Sequence, residues 1–173
     1  FFSDYDLSFI EDNSLSQVIY RISKEKPVVH HLINESFRCL KPGGKLILAG
    51  EKNEGIKTYF SKGKNLFGDG QSSKVDKGTW LIELIKENSS GSLLDEQDYH
   101  HLRVVKNDEQ FEYQSKPGIF GWDKIDRGSA YLIEHLDNFL MTMPEPPKSA
   151  LDLGCGYGYL SLNLTHLQIP VTA

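Results

Sequence analysis

The chain has 173 residues, of which 39% are hydrophobic and 25% charged, and its formal net charge is −5. This is the composition of a globular protein, with enough apolar residues to form a core in one domain or in parts of two. No apolar run is long enough to span a membrane, and the first residues lack the basic and apolar regions of a signal peptide. The two cysteines, Cys39 and Cys155, are isolated, which favours neither a disulfide framework nor a metal site. We therefore expect a reducing, cytoplasmic setting.

Two stretches at the start of the chain predict strands, with a helix between them. A β-branched and aromatic run at 14–23 predicts the first strand. Pro27 suits the first turn of a helix, and apolar residues recur at helical spacing as far as about Leu40. The Lys-Pro-Gly-Gly segment 41–44 ends this helix. The continuous apolar run at 45–50 then predicts a strand that is buried on both faces.

The patterns after residue 50 are weaker. Residues 56–67 predict a helix that is weakened by Gly63. Residues 79–85 predict a strand, which can pair with a short strand near Lys74 to close the edge of a sheet.

A polar segment rich in glycine and serine, 87–92, has no periodicity and is typical of a linker. We therefore expect two domains, at 1–90 and 91–173. Early in the second domain, strand patterns at 100–105 and 110–114 flank a polar turn, which predicts an antiparallel hairpin.

The rest of the second domain predicts a helix and then a glycine-rich turn. The helix begins near Asp126 and ends before the proline-rich segment 144–147. Its predicted core stripe consists of four apolar residues: Ile133, Leu136, Phe139 and Leu140.

The glycine loop follows a short apolar run and precedes another helical pattern, which predicts a strand, a tight turn and a helix. Asp152 lies two residues ahead of three glycines at alternate positions, Gly154, Gly156 and Gly158. Glycines can adopt positive φ and let a ligand approach the main chain, and the N–H groups that begin the next helix point at its polar atoms. The alternatives are a ligand-free turn and a dinucleotide-binding loop, whose third glycine would fall one position later.

The glycine loop resembles motif I of the class I S-adenosylmethionine (SAM) methyltransferases. The segment Leu40–Leu46 is similar to the turn that leads into the fifth strand of that fold. Together with Pro117–Ser129, these features resemble the ribosomal RNA guanine-N2 methyltransferases, in particular the small-subunit (RsmC) type. The resemblance implies a class I SAM-methyltransferase-like (Rossmann-like) α/β fold. It also implies the later half of a domain that has lost its cofactor, followed by the beginning of a truncated catalytic domain.

The resemblance implies methyl transfer from SAM to the exocyclic N2 of a guanine in 16S ribosomal RNA, with the base turned out of its stack. Ribosomal RNA or the small ribosomal subunit is the implied partner, and no metal is needed. The implied cofactor-binding residues are Asp152, Gly154, Gly156, Gly158, Phe120 and Asp126. Without a ligand, Phe120 would be a core residue and Asp126 a helix cap.

The chain departs from this family in two ways. Phe120-Gly121-Trp122 stands where the family has Phe-Ser-Arg. The Asn-Pro-Pro-Phe motif that holds the target amine is absent, so we expect the catalytic residues beyond Ala173 and a fragment that neither methylates RNA nor binds SAM tightly. Three alternatives stay open: a large-subunit (23S) guanine-N2 methyltransferase, a non-catalytic RNA-binding module, and a methyltransferase for a protein or small molecule.

The charges are unevenly distributed along the chain. Residues 21–77 contain 12 Lys and Arg against six Asp and Glu, an excess of +6 that leaves −11 for the remainder. This segment could face RNA or be a solvated lysine surface, because spacing does not show whether the lysines share a face. We select Lys57, Lys62 and Lys64 as candidate RNA contacts.

Two histidine pairs, His30-His31 and His100-His101, suggest a metal site. Adjacent side chains point apart on a helix or strand, and no Cys or acid completes a ligand spacing, so we expect no metal there.

Overall fold

The chain forms two compact units, Phe1–Tyr99 and His100–Ala173. The computed structural model describes residues 5–88, 91–107 and 111–173. The segment 91–99 packs with the first unit, although the sequence pattern places it after the linker.

The described residues of the first unit form four strands and two α-helices, close to the predicted positions. A single 3-10 turn, Lys52–Glu54, precedes the second helix. In chain order the elements are β1 (Leu15–Arg21), α1 (Lys26–Cys39), β2 (Leu40–Glu51), α2 (Ile56–Phe67), β3 (Gly68–Lys74) and β4 (Thr79–Lys86). The predicted helix 56–67 has the predicted bounds. Gly63 is buried in α2, and a Cβ there would lie 2.5 Å from Leu84 Cδ1, so the glycine lets the helix approach the sheet closely.

The sheet of the first unit has the strand order β1-β2-β4-β3. β1 and β2 are parallel, as expected for strands joined by a crossover helix, and β4 is antiparallel to both of its neighbours. The predicted pairing at the sheet edge is confirmed, although β3 is longer than the short strand expected near Lys74. The Lys-Pro-Gly-Gly segment is a bulge at the start of β2, because Leu15 pairs with Leu40 whereas Gln17 already pairs with Lys45.

One hydrophobic core lies between this sheet and its two helices. Alternate residues of the central strands, such as Leu46 and Leu48 in β2, are fully buried against it. The intervening residues Ile47 and Ala49 are only half-buried, and Ile19 on the same side of β1 is 72% exposed. The prediction that residues 45–50 are buried on both faces is therefore wrong, because both helices pack against the same side of the sheet.

A buried lysine closes the end of α1. Lys86 Nζ donates hydrogen bonds to the carbonyl oxygens of Phe37 and Leu40 at 2.6 Å and to Asn13 Oδ1 at 2.8 Å. A cation complements the negative end of the helix dipole, and the lysine satisfies carbonyl groups that have no partner within the helix. Burial lowers the pKa of Lys86.

Polar side chains of α1 hold the segment 91–99. Asn34 exchanges two hydrogen bonds with the backbone of Leu94, at 2.8 and 2.9 Å. His30 Nδ1 donates to the carbonyl of Asp95, and the ring of His31 stacks on Tyr99 with centroids 3.9 Å apart. His30 and His31 are therefore engaged in packing this segment.

The second unit is built from short elements. They are β5 (Arg103–Asn107), β6 (Glu112–Ser115), α3 (Arg127–Glu134), α4 (Leu136–Met141), β7 (Ala150–Leu151), α5 (Tyr159–His166) and β8 (Val171–Thr172). β5 and β6 form the predicted antiparallel hairpin, and β7 and β8 pair in parallel. Residues 108–110, within the predicted turn and second strand of that hairpin, lie outside the described residues.

The predicted helix after Asp126 is interrupted at His135, where φ is −106° and ψ is 2°. This break separates α3 from α4 and changes which side chains share a face. Leu136 is buried and Ile133 and Leu140 are half-buried, but Phe139 is 59% exposed. The prediction that Phe139 belongs to the core is wrong, because helical periodicity does not continue through the break.

Candidate functional site

The glycine loop of the second unit joins the end of β7 to the beginning of α5. Gly154, Gly156 and Gly158 all adopt left-handed conformations, with φ of 77°, 58° and 84°. Gly158 is also the N-cap residue of α5, and its carbonyl accepts the first helical hydrogen bond from Leu162 N at 2.9 Å. The expected positive φ values are confirmed, and non-glycine residues would be strained at these positions.

The space above the loop is open at two of the three glycines. A Cβ at Gly154 or Gly158 would meet no atom within 4 Å, whereas one at Gly156 would lie 3.6 Å from the carbonyl oxygen of Phe120. Gly156 therefore faces the segment that precedes α3. The main chain at Gly154 and Gly158 is accessible to a ligand.

Asp152 lies between the two-stranded sheet and α5. Its backbone N–H donates to the carbonyl of Thr172 at 2.9 Å, and its Oδ2 accepts a hydrogen bond from Ser161 Oγ at 2.6 Å. Ser161 fixes one carboxylate oxygen, and Oδ1 is left as an acceptor at the start of the loop. The sequence analysis did not identify Ser161. The only sequence feature that could have indicated its contact with Asp152 is a hydroxyl residue in the first turn of the helix after the loop.

Phe120 lies beside the glycine loop and is 78% exposed. It is therefore not a core phenylalanine. Trp122, two residues further on, lies beneath the guanidinium of Arg103, which is 5.4 Å from the ring centroid.

Asp126 is the N-cap of α3, and its Oδ2 accepts a hydrogen bond from the backbone N–H of Ser129 at 2.9 Å. This bond lowers the pKa of Asp126. A Cβ at Gly128 would lie 3.0 Å from the same oxygen, so the glycine leaves room for the cap. The structure thus gives Asp126 the role of a helix cap, and the backbone carbonyl of Phe120 lies against the loop at Gly156.

Three tyrosines cluster at the glycine loop, which the sequence analysis did not predict. Tyr113 is 1% exposed, and its ring centroid lies 6.3 Å from that of Tyr157 and 5.3 Å from that of Tyr159. Asn163 Nδ2 donates to the hydroxyl of Tyr113 at 3.0 Å and to the carbonyl of Tyr159 at 2.7 Å. Burial raises the pKa of Tyr157, with smaller effects from the two other tyrosines and from Asp126. The alternation of glycine and tyrosine at residues 156–159 is the sequence feature that could have indicated this cluster.

An apolar cavity of about 160 Å³ lies beneath the strand that leads into the loop. It is lined by Leu132, Ile133, Leu136, Leu151, Asp152, Leu160 and Leu164. Sites that enclose small molecules have volumes of roughly 300–1,000 Å³. The described residues therefore present the loop as an open surface for part of a ligand.

Residues 5–88, 91–107 and 111–173 contain neither a cluster of metal-ligating side chains nor a helix that could span a membrane. No group of three or more His, Cys, Asp and Glu side chains is arranged to hold a metal ion there. The described helices include none long and apolar enough to cross a membrane.

Known proteins that are similar to this chain are methyltransferases. A model of the methyltransferase small domain family matches residues 110–171. Ribosomal RNA small subunit methyltransferase C of Pseudomonas paraeruginosa is 31% identical over 84% of this chain, and that of Acinetobacter baylyi is 28% identical over 96%. The expected resemblance is confirmed. The chain is related to the ribosomal RNA small subunit methyltransferase C proteins, and it spans 41% and 47% of the length of these two relatives.

A solved structure supports the same relationship. The T. thermophilus 16S rRNA N2 methyltransferase RsmC, in complex with AdoMet and guanosine, superimposes with a TM-score of 0.73 at 28% identity. The superposition covers 94% of this chain and 44% of the T. thermophilus chain. The expected class I SAM-methyltransferase-like α/β fold is therefore confirmed.

Proposed function

We propose that this chain serves SAM-dependent methylation of the exocyclic N2 of a guanine in 16S ribosomal RNA. The observation that carries the proposal is the loop after β7, in which three left-handed glycines follow a half-buried aspartate. The relationship to small subunit methyltransferase C supports the same reaction. The alternative enzyme, a large-subunit guanine-N2 methyltransferase, differs in its RNA substrate.

In this proposal the loop binds the methionine part of SAM. The open space at Gly154 and Gly158 lets the ligand approach the main chain closely, and the N–H groups at the start of α5 point at its carboxylate. Asp152 Oδ1 can accept a hydrogen bond from its ammonium group, directly or through water, because Ser161 holds the other oxygen. The other two proposed cofactor contacts are Phe120, which is 78% exposed and whose carbonyl lies against Gly156, and Asp126 at its capping position.

SAM supplies a methyl group on a sulfonium, which is reactive without a metal. The N2 nitrogen of guanine would form the new bond to carbon as the carbon–sulfur bond breaks. The electron pair of the broken bond would stay on sulfur, which becomes a neutral thioether, and one proton of N2 would pass to solvent. The contribution required of the protein is mainly the alignment of the two reactants.

The domain assignment belongs to the same proposal. Residues 1–90 would form the later part of a methyltransferase-like domain without cofactor, and 91–173 the beginning of the catalytic domain. Ribosomal RNA or the small ribosomal subunit is the proposed partner, in the cytoplasm. The residues that hold the target amine are proposed to lie beyond Ala173.

The test uses the complete gene product, SAM with a tritiated methyl group, and purified 16S RNA, 23S RNA or small ribosomal subunits. We expect tritium in 16S RNA or the subunit, and N2-methylguanosine in a nuclease digest analysed by mass spectrometry. Asp152→Ala should raise the KM for SAM strongly, whereas Asp137→Ala, an exposed aspartate on α4, should leave it unchanged. Labelling of 23S RNA alone would favour the large-subunit enzyme, and RNA binding without any methyl transfer would favour a non-catalytic module.

A further inference from the structure

The exposed side of α2 brings lysine and aromatic side chains together. Lys57 and Lys64 lie seven residues apart, which is two helical turns, so they extend from the same side of the helix. Phe60 lies between them on that side. Lys57 Nζ is 4.1 Å from the ring centroid of Trp80 in β4, and Lys64 Nζ is 5.9 Å from that of Phe60.

A third lysine reaches the same place from the edge strand β3. Lys74 is the register partner of Trp80 in the antiparallel pair of β3 and β4, and directly opposed residues share one face of a sheet. Lys57 and Lys74 are therefore both neighbours of the Trp80 side chain. We call the surface formed by Lys57, Lys64, Lys74, Phe60 and Trp80 the lysine face.

The lysines of the lysine face form no ion pair with a described carboxylate. All three lysines are exposed, and none takes part in an ion pair with another described residue. The carboxylate of Asp76 is committed to the β3–β4 turn, where it accepts hydrogen bonds from the backbone N–H groups of Gly78 and Thr79. These backbone hydrogen bonds lower the pKa of Asp76, and the charge of Lys74 adds a smaller effect. The lysine face thus presents three positive charges in a chain with a net charge of −5.

The contacts of these lysines also restrict their motion. A lysine normally loses considerable side-chain entropy when it is fixed against a partner. Here Lys57 is held over Trp80, and Lys64 Nζ donates to the carbonyl of Gly70 at 3.1 Å, so part of that entropy is already lost in the free protein. Ammonium groups without a carboxylate partner, two of them held in place, suit a polyanion with regularly spaced charges.

Lys62, which the sequence grouped with Lys57 and Lys64, lies elsewhere. It is five residues from Lys57, which corresponds to a rotation of roughly 140° around an α-helix. It lines a different hollow with Asn65 and the segment 92–95. The structure therefore divides the basic stretch of sequence into separate surfaces.

We propose that the lysine face binds the phosphate backbone of the RNA substrate, a role that rests on the proposed function. The contacts are to phosphates, so they position RNA without reading its sequence. Ring faces covered by lysines are not available to stack on bases, which also favours a backbone contact.

The test compares two triple variants of the full 173-residue chain with the same change in net charge. The first variant removes the charges of the lysine face by the substitutions Lys57→Gln, Lys64→Gln and Lys74→Gln. Lys26→Gln, Lys41→Gln and Lys62→Gln remove three exposed charges outside it. The probe is a fluorescein-labelled stem–loop of about 30 nucleotides copied from 16S RNA, and fluorescence anisotropy gives its affinity between 50 and 300 mM KCl.

Each phosphate contact contributes roughly 0.7 to 0.9 to the slope of log affinity against log salt. The lysine-face variant should therefore lower this slope by roughly two to three, while the matched variant retains the wild-type slope. Replacing the same three lysines by arginine should keep the wild-type slope, because the charges remain. Thermal denaturation verifies that each variant is folded, and Lys74→Gln alone, which removes no ring contact, should lower the slope by roughly one.

Several results would overturn the proposal. They are an unchanged slope in the lysine-face variant, equal losses in the two triple variants, and tighter binding to phosphatidylserine vesicles than to RNA. Calorimetric titration of the complete gene product with SAM, with and without the same three substitutions, separates this proposal from the proposed function. Substitutions in the lysine face should leave SAM affinity unchanged, and a loss of RNA binding alone would not affect the case for methyl transfer.

Discussion

The two units use the same kinds of elements but differ in how much of the chain they bury. Thirteen hydrophobic residues form the main core of the first unit, around a four-stranded sheet. Among the described residues of the second unit, three hydrophobic residues are buried, Tyr113, Leu136 and Ile169, and its sheets have two strands each. The glycine loop thus rests on few tertiary contacts, and its conformation depends more on local backbone chemistry than that of the first unit.

Alanine substitution of matched leucines should give the largest difference between the units. Leu48 in β2 is fully buried, whereas Leu151 in β7 is 64% exposed. Leu48→Ala should lower the free energy of unfolding of the first unit by about 2–5 kcal/mol. Leu151→Ala should change that of the second unit by less than about 0.5 kcal/mol.

Each unit contains one tryptophan, so unfolding of the two can be followed separately. Trp80 reports on the first unit in a Trp122→Phe background, and Trp122 reports on the second in a Trp80→Phe background. Urea titrations monitored by fluorescence give both free energies. Similar losses for the two leucines would show that the second unit buries more surface than its structure indicates.

Replacing one left-handed glycine in each unit by alanine should lower the free energy of unfolding of both units by the same amount. Gly43 in the first unit and Gly158 in the second have φ of 78° and 84°, and a Cβ at either would meet no atom within 4 Å. The cost of alanine therefore arises from the left-handed backbone alone, about 1–2 kcal/mol at each site. The same urea titrations measure it, and a much larger loss at Gly158 would reveal a contact that backbone geometry does not explain.

His30 should make the free energy of unfolding of the first unit fall as the pH is lowered, by less than the losses expected for Leu48→Ala and the two glycine substitutions. Burial lowers the pKa of His30, so the unfolded chain binds more protons than the folded one at mildly acidic pH. The stabilising contribution is complete above the unfolded pKa of about 6.5 and is lost as the pH falls through the folded pKa. Trp80 fluorescence at pH 7.5 and 5.5 should show a larger decrease in stability for the wild type than for His30→Gln, and equal decreases would contradict this assignment.

Local sequence patterns predicted much of the fold. The bounds of α2, the crossover from β1 to β2, and the strand, glycine turn and helix around Gly154 all follow from periodicity and turn residues. The left-handed glycines were predictable for the same reason, because a backbone conformation depends on neighbouring residues in the chain.

Features that depend on distant residues were not predictable from local patterns. The sequence pattern assigns the segment 91–99 to the second domain, whereas its contacts with Asn34 and the two histidines of α1 show that it packs against a helix about 60 residues earlier. The break at His135 and the clustering of tyrosines at the loop likewise depend on packing. Whether the three lysines share a surface depends on how α2 and β3 pack together. A count of charges along the sequence carries no information about that packing.

The buried position of Lys86 has a consequence for chemical labelling. Amine-reactive reagents modify the neutral, accessible form of a lysine, and the ammonium of Lys86 is enclosed by three oxygen acceptors. Exposed lysines such as Lys41 should react within the first minutes of treatment, whereas Lys86 should react only when α1 and β4 separate. Its rate of modification, followed by peptide mass spectrometry, would therefore measure how often the first unit opens in the native protein.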